Sequence, residues 1–215
     1  MKLNYKEFKI LLSSYKDIVW DYDDTLSNTV MKKGDAYVDL FKNYPDEFKN
    51  FIKKDHQSNP GVSRFRKIPY YICKSKDYLN IEIDEKLTLL KFSELCIQIL
   101  INEPLINEFE EFIKNEKIKC KHHILTNMPQ DKIDKILFYK KINHRFENIK
   151  GGALDKSINL QKLVKKFEIP KKIIFIGDSE GDLLAAKNNK IDFVLRSTNL
   201  NQNIKRDFEC NYVEV

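Results

Sequence analysis

Three short apolar runs stand out along the chain: Ile18-Val19-Trp20, His123-Ile124-Leu125 and Ile173-Ile174-Phe175-Ile176. Each has strand length, and each stops at a polar cluster: Asp21, Thr126 and Gly177-Asp178 respectively. Apolar runs without alternation are expected of strands buried on both faces of a parallel sheet. Helical spacing follows the second run at about Gln130 to Tyr139 and the third at Asp182 to Asn188, and another helix, about Ser157 to Phe167, precedes the third. Strands and helices in alternation predict an α/β, Rossmann-like doubly wound parallel sheet. Short strands through Phe193, Val194 and Leu195 and near Phe146 to Ile149 extend it.

Between Ser27 and about Asn115 the pattern changes to long stretches of 3.6-residue period, such as Asp84 to Asn102, with almost no strand signal. The turn signal Ser58-Asn59-Pro60-Gly61 separates a charged helix, Pro45 to His56, from another starting near Val62. The pattern predicts an all-helical domain over 27–115, inserted into a core made of 1–26 and 116–215.

Composition narrows the class. With 42% hydrophobic and 33% charged residues in 215, the chain has the profile of a folded domain with a real core. Its apolar runs are too short to span a bilayer, and its first residues, MKLNYKEFKILLSSYKD, lack the apolar stretch of a secretory signal, so a cytoplasmic location and no membrane partner are expected. Cys73, Cys96, Cys120 and Cys210 form no CxxC pair, which argues against a disulfide framework or zinc site. The formal charge of +6 comes from lysines interspersed with acids rather than from a stripe, so nucleic acid is not an expected partner. Attraction of anionic small substrates is the better use of that charge.

The polar clusters at the strand ends carry candidate chemistry. In Asp21-Tyr22-Asp23-Asp24-Thr25-Leu26, extended geometry would turn Asp21 and Asp23 to one side, where one carboxylate can attack and the other shuttle protons. An acidic turn capping the next helix would look the same. In Gly177-Asp178-Ser179-Glu180-Gly181-Asp182, the two aspartates offer the few hard oxygens that magnesium prefers, while Ser179 and Asp182 also match a capping box. Thr126 and Asn127 offer a hydroxyl, an amide and backbone N–H groups to a phosphate oxygen, or a simple N-cap. Lys156, in Gly152-Ala153-Leu154-Asp155-Lys156-Ser157, offers a point charge.

In this order, DYDDT, Thr126, Lys156 and GDSEGD, the motifs resemble those of the haloacid dehalogenase-like superfamily. The resemblance covers nearly the whole chain, including a helical cap inserted after the first motif. Asp24 stands where many members have Gly, and Ser157 where many have Pro. The resemblance implies a hydrolase of phosphoric monoesters: a magnesium-dependent phosphatase in which Asp21 is the nucleophile that becomes an aspartyl-phosphate, Asp23 the general acid and base, and Thr126, Asn127 and Lys156 the groups that hold the phosphoryl oxygens. Magnesium would be held by Asp21, Asp178, the main-chain carbonyl of Asp23, and Asp182 directly or through water.

The cap segment Gly61-Val62-Ser63-Arg64-Phe65-Arg66-Lys67, with His56, resembles the cap loop of β-phosphoglucomutase-like and phosphoglycolate phosphatase-like members. By that resemblance Arg64, Lys67 and His56 are expected to bind substrate. A similar loop, with a Val194-Leu195-Arg196 segment, is seen in members associated with surface-polysaccharide gene clusters. The expected partner is a small phosphorylated metabolite, a phosphosugar or a small phosphorylated alcohol or amino alcohol, in carbohydrate metabolism, acted on by a monomer or homodimer. A phosphosugar mutase of the β-phosphoglucomutase type is the alternative, and a non-catalytic binding protein on the same fold a more remote one.

Overall fold

The computed structural model describes residues 1–59, 62–115, 117–152, 155–167 and 172–215. Pro60 and Gly61 of the expected turn, Ala153 and Leu154 ahead of Lys156, and Glu116 at the expected boundary lie outside the described residues. The chain divides into two compact units: Met1–Asn28 with Pro104–Val215, and Thr29–Glu103.

The first unit is built on a seven-stranded sheet, β1 (Lys2–Leu3), β2 (Asp17–Trp20), β3 (Lys121–Leu125), β4 (Asn148–Lys150), β5 (Ile173–Gly177), β6 (Asp192–Arg196) and β7 (Asn211–Val213). All recorded pairings are parallel, in the order β1-β7-β6-β5-β2-β3-β4. β2 is central and in register with both neighbours, Trp20 lying between Ile124 of β3 and Ile176 of β5. The apolar run is thereby explained, since Ile18, Val19 and Trp20 are fully buried.

Alternate side chains of β2 meet different layers. On one face Val19 packs with Leu125, Phe175 and side chains of α8 (Lys156–Val164) and α9 (Glu180–Asn188), including Leu160, Leu163, Ala185 and Ala186. On the other, Trp20 meets Phe109 and Phe112 of α6 (Asn107–Lys114), and Phe109 in turn meets Phe8 of α1 (Tyr5–Ser13). The remaining helices of this unit are α7 (Gln130–Tyr139) and α10 (Gln202–Asp207).

The second unit contains α2 (Val30–Leu40), α3 (Asp46–Ser58), α4 (Arg64–Ser75) and α5 (Glu85–Asn102), packed around an aromatic interior of Tyr37, Phe41, Tyr44, Phe48, Tyr71 and Phe92. Its limits fall at 28/29 and 103/104 rather than at the expected 26/27 and 115/116. The second difference is a whole helix. The apolar face of α6 carries Phe109 and Phe112 onto Trp20 of the sheet, a destination that helical periodicity alone does not specify. Among the described residues no helix is long and apolar enough to cross a membrane.

Candidate active site

In an open parallel sheet, the carboxyl ends of the central strands form the ligand crevice. β2, β3 and β5 deliver Asp21, Thr126 and Asp178 to that edge. Asp21 continues the sheet pairing, its N–H donating to the Ile176 carbonyl at 2.9 Å. The chain then turns tightly: Thr25, Leu26 and Ser27 N–H groups all point to the Tyr22 carbonyl, and Asp24 N–H donates to the Ser27 carbonyl at 2.8 Å. Asp24 occupies the left-handed region with φ of 49°, where glycine is favoured and Asp is among the residues that tolerate it. That backbone conformation explains why Gly is common at this place among the sequences this chain resembles.

Four of the motif residues converge. The Lys156 ammonium donates to Asp21 Oδ1 at 2.6 Å and to Asp182 Oδ1 at 2.5 Å. Carboxylate oxygens of Asp21, Asp178 and Asp182 lie within 4.8 Å of one another. Asp155 caps α8, accepting from the Ser157 and Ile158 N–H groups, and so sets Lys156 as the first helical residue. Ser179 and Asp182 form the capping box of α9, with Ser179 N–H and hydroxyl both donating to Asp182 Oδ2. Asp182 therefore divides its oxygens, Oδ2 to the cap and Oδ1 to Lys156. Its approach to the strand requires Gly177, because a Cβ there would stand 2.5 Å from Asp182 Cβ.

The electrostatics follow from three carboxylates and one ammonium in a buried site. Asp21 is 4% exposed and Asp182 fully buried. Burial raises the Asp21 pKa to about 7, Lys156 opposing the rise and the charges of Asp182 and Asp23 adding to it. Burial, with the charges of Asp21, Asp182 and Asp24, raises Asp178 to about 9. For Lys156 burial works against the charge, but Asp21 and Asp182 outweigh it and its pKa is raised. One lysine thus leaves an excess of negative charge, which a proton or a further cation must offset. A compact set of hard carboxylate oxygens with an uncompensated charge fits a magnesium ion.

A pH dependence follows. The folded protein without metal holds protons on Asp178 and Asp21 that the unfolded chain has released above its carboxylate range, so its stability falls as pH rises from about 4 towards about 9. A bound divalent cation must displace those protons. Magnesium is expected to raise the melting temperature more at pH about 8 than at pH about 6, and an equal rise at both would argue against binding at these carboxylates.

The other expected residues are placed as follows. Asp23 follows directly on this geometry, half-buried, with its charge acting on Asp21. Thr126 is buried beyond β3, its N–H donating to the Lys150 carbonyl and its Oγ1 accepting from Met128 N–H, while Asn127 is exposed beside it. Arg64, Lys67 and His56 belong to the helical unit. Ser63 caps α4, placing Arg64 at its first residue, where Nη1 donates to Ser93 Oγ at 3.5 Å. Lys67 is 2% exposed, paired with Asp55 at 3.4 Å and near Tyr71. His56 is 4% exposed, with Nε2 on the Val30 carbonyl and its ring over Gly34, where a Cβ would come within 2.7 Å. Lys67 and His56 thus have packing roles within their own unit that a motif-based reading did not anticipate.

Two residues that sequence reasoning did not assign touch the motif turns. Arg196, at the end of β6, donates from Nη1 to the Asp24 carbonyl at 3.0 Å. Asn201 donates to the Asp178 carbonyl at 2.7 Å. The signal for Arg196 was present, a cation ending an apolar run, but nothing marked Asn201.

Comparison with solved structures shows the same fold. A provisionally assigned β-phosphoglucomutase from Thermotoga maritima has a TM-score of 0.73 at 18% identity, over 93% of this chain and 94% of that one. A predicted phosphoglycolate phosphatase from Haemophilus somnus 129PT has a TM-score of 0.69 at 22% identity, with the same coverage. The provisionally assigned HAD hydrolase YfnB from Bacillus subtilis, solved bound to magnesium, has a TM-score of 0.68 at 16% identity, again over 93% and 94%. No curated protein sequence matches the chain. The family model for haloacid dehalogenase-like hydrolases matches residues 15–189, which include all four motifs. On that match the chain belongs to the haloacid dehalogenase-like hydrolase family.

Proposed function

We propose that this hydrolase is a magnesium-dependent phosphatase acting on a small phosphomonoester through a covalent aspartyl-phosphate. The observation that supports it best is the buried contact of Lys156 with both Asp21 and Asp182, beside Asp178. In the proposed reaction an Asp21 oxygen forms a bond to phosphorus as the bond to the leaving oxygen breaks, and Asp23 gives that oxygen its proton. Asp23 then takes a proton from water, whose oxygen bonds to phosphorus as the bond to Asp21 breaks, releasing inorganic phosphate. Lys156 holds Asp21 in place and meets charge developing on the phosphoryl oxygens, which Thr126 and Asn127 are positioned along the strand edge to share. Asp21, Asp178 and the Asp23 carbonyl are the proposed magnesium ligands, with Asp182, both of whose oxygens are engaged, acting through water. When bound, magnesium would neutralise charge on the transferred group.

For the substrate we favour a phosphosugar or small phosphorylated alcohol. Among the described residues Arg64 has one long hydrogen bond and keeps guanidinium donors for a second polar or anionic group. The likeness in fold to a provisionally assigned β-phosphoglucomutase favours a second reading, in which a sugar hydroxyl replaces water as the acceptor. A panel of phosphorylated metabolites assayed with magnesium tests both. Release of inorganic phosphate supports the phosphatase, whereas isomer interconversion without net release, dependent on a bisphosphate, overturns it in favour of the mutase. Inactivity across the panel despite magnesium binding would leave a binding protein.

A further inference from the structure

We infer that Arg196 and Asn201 are positioning residues, a bracket that fixes the two acidic turns of the site to each other from behind. The inference rests on the phosphotransfer reading above and extends it to residues that touch no reacting atom. Arg196 is 6% exposed and Asn201 5%, so neither is a surface group. From the Arg196 guanidinium, Nη1 reaches the Asp24 carbonyl at 3.0 Å, and Nη2 reaches Asn28 Oδ1 at 2.7 Å and the Val215 carbonyl at 3.1 Å. Asn201 Nδ2 donates to the Asp178 carbonyl at 2.7 Å and to the Arg196 carbonyl at 2.9 Å, and its Oδ1 accepts from Thr198 N–H at 2.8 Å. The last bond fixes which end of the amide carries the donors.

The chain of contacts is continuous: the turn after β2, then Arg196, then Asn201, then the turn after β5. The carbonyls held in the two turns belong to Asp24 and Asp178, so the bracket acts on the backbone of each turn rather than on its carboxylates. The anchored peptide at Asp24 is the left-handed one, φ 49°, which a non-glycine residue holds only against a steric cost. It follows directly on Asp23, the proposed acid and base, whose carbonyl is a proposed metal ligand. The carbonyl held lies in the Asp24–Thr25 peptide, so loss of the anchor frees rotation about ψ of Asp24 and loosens the turn that sets the adjoining Asp23–Asp24 peptide, which carries a proposed metal oxygen next to the proton donor. Thr25 adds a long contact of 3.5 Å between its hydroxyl and Asp178 Oδ1, bridging the same two turns at the front.

The test replaces Arg196 by Met, which keeps the bulk and removes the donors. With p-nitrophenyl phosphate, kcat per folded molecule is expected to fall about tenfold to a hundredfold while KM stays within about twofold, since small misplacement of a reacting group costs rate more than binding. The magnesium concentration giving half the maximal thermal shift is expected to rise severalfold. A purely structural Arg196 would lower only the folded fraction, so kcat per folded molecule and magnesium affinity both within about twofold of wild type would overturn the bracket. Should R196M not fold, R196K, which keeps one donor, and N201A, which frees the Asp178 carbonyl while leaving Arg196 on the Asp24 carbonyl, carry the same two readouts, with smaller losses expected for each. An inactive wild type would defeat the phosphatase reading alone, and unchanged magnesium affinity in the variants would then still overturn the bracket.

Discussion

Asp21→Asn is expected to abolish phosphate release, lowering kcat by at least about a thousandfold, because an amide cannot form the acyl-phosphate and no neighbouring carboxylate stands in its place. The informative part is what the same substitution does to stability. Asp21 shares a buried site with Asp178 and Asp182 against one ammonium, and its pKa is raised by burial and by the neighbouring charges. Replacing it by a neutral isostere removes one of the mutually repelling groups, and Lys156 keeps its contact with Asp182. In the absence of metal the variant should therefore melt at or above the wild-type temperature, while its response to magnesium shrinks. Thermal melts with and without magnesium, set beside turnover, separate loss of the nucleophile from loss of the fold. Retained turnover would remove Asp21 from the reaction.

Lys156→Met should behave in the opposite sense. Its side chain is 9% exposed and joins two carboxylates, so removing the ammonium leaves Asp21 and Asp182 without their ion pair. Breaking a buried pair in this way costs about 3 kcal/mol or more, which for a chain of this size lowers the melting temperature by about 10 °C. Magnesium, by supplying charge to the same oxygens, should recover part of that loss, and recover more of it than it adds to wild type. Activity should remain low even in the refilled site, because the ammonium that orients Asp21 is gone. A variant as stable as wild type without metal would mean that the carboxylates stay protonated and that Lys156 offsets little.

The two substitutions show which parts of the site could be read from sequence. Asp21, Lys156, Asp178 and Asp182 were legible because each follows a strand or opens a helix, so local patterning placed them near one edge of one sheet. Their order along the chain supplied the rest. The core strands were equally legible, because burial on both faces leaves an unbroken apolar run. Asn201 was not, since its role depends on two carbonyls, one of them 23 residues away, and an asparagine at a helix start carries no mark of that. Sequence patterning put α6 in the helical insert rather than with the sheet for a similar reason: Phe109 and Phe112 announce an apolar face but not the surface it covers. Lys67 and His56 show the converse. A motif made them candidates for substrate binding, whereas Asp55, Tyr71, Val30 and Gly34 give them partners inside the helical unit.

The position of β2 between β3 and β5 has a consequence for how the protein is made. Asp17 pairs with Lys121 on one side and Ile173 on the other, so both partners of this strand leave the ribosome more than a hundred residues after it. The helical unit, one continuous stretch with its own aromatic interior, meets no such delay. During synthesis Ile18, Val19 and Trp20 must wait unpaired while the insert folds ahead of them, and closing so long a loop is the slow, entropically costly step. Asp21 is translated before the whole of the insert, yet the pocket around it is complete only after β5 and the start of α9 have been added.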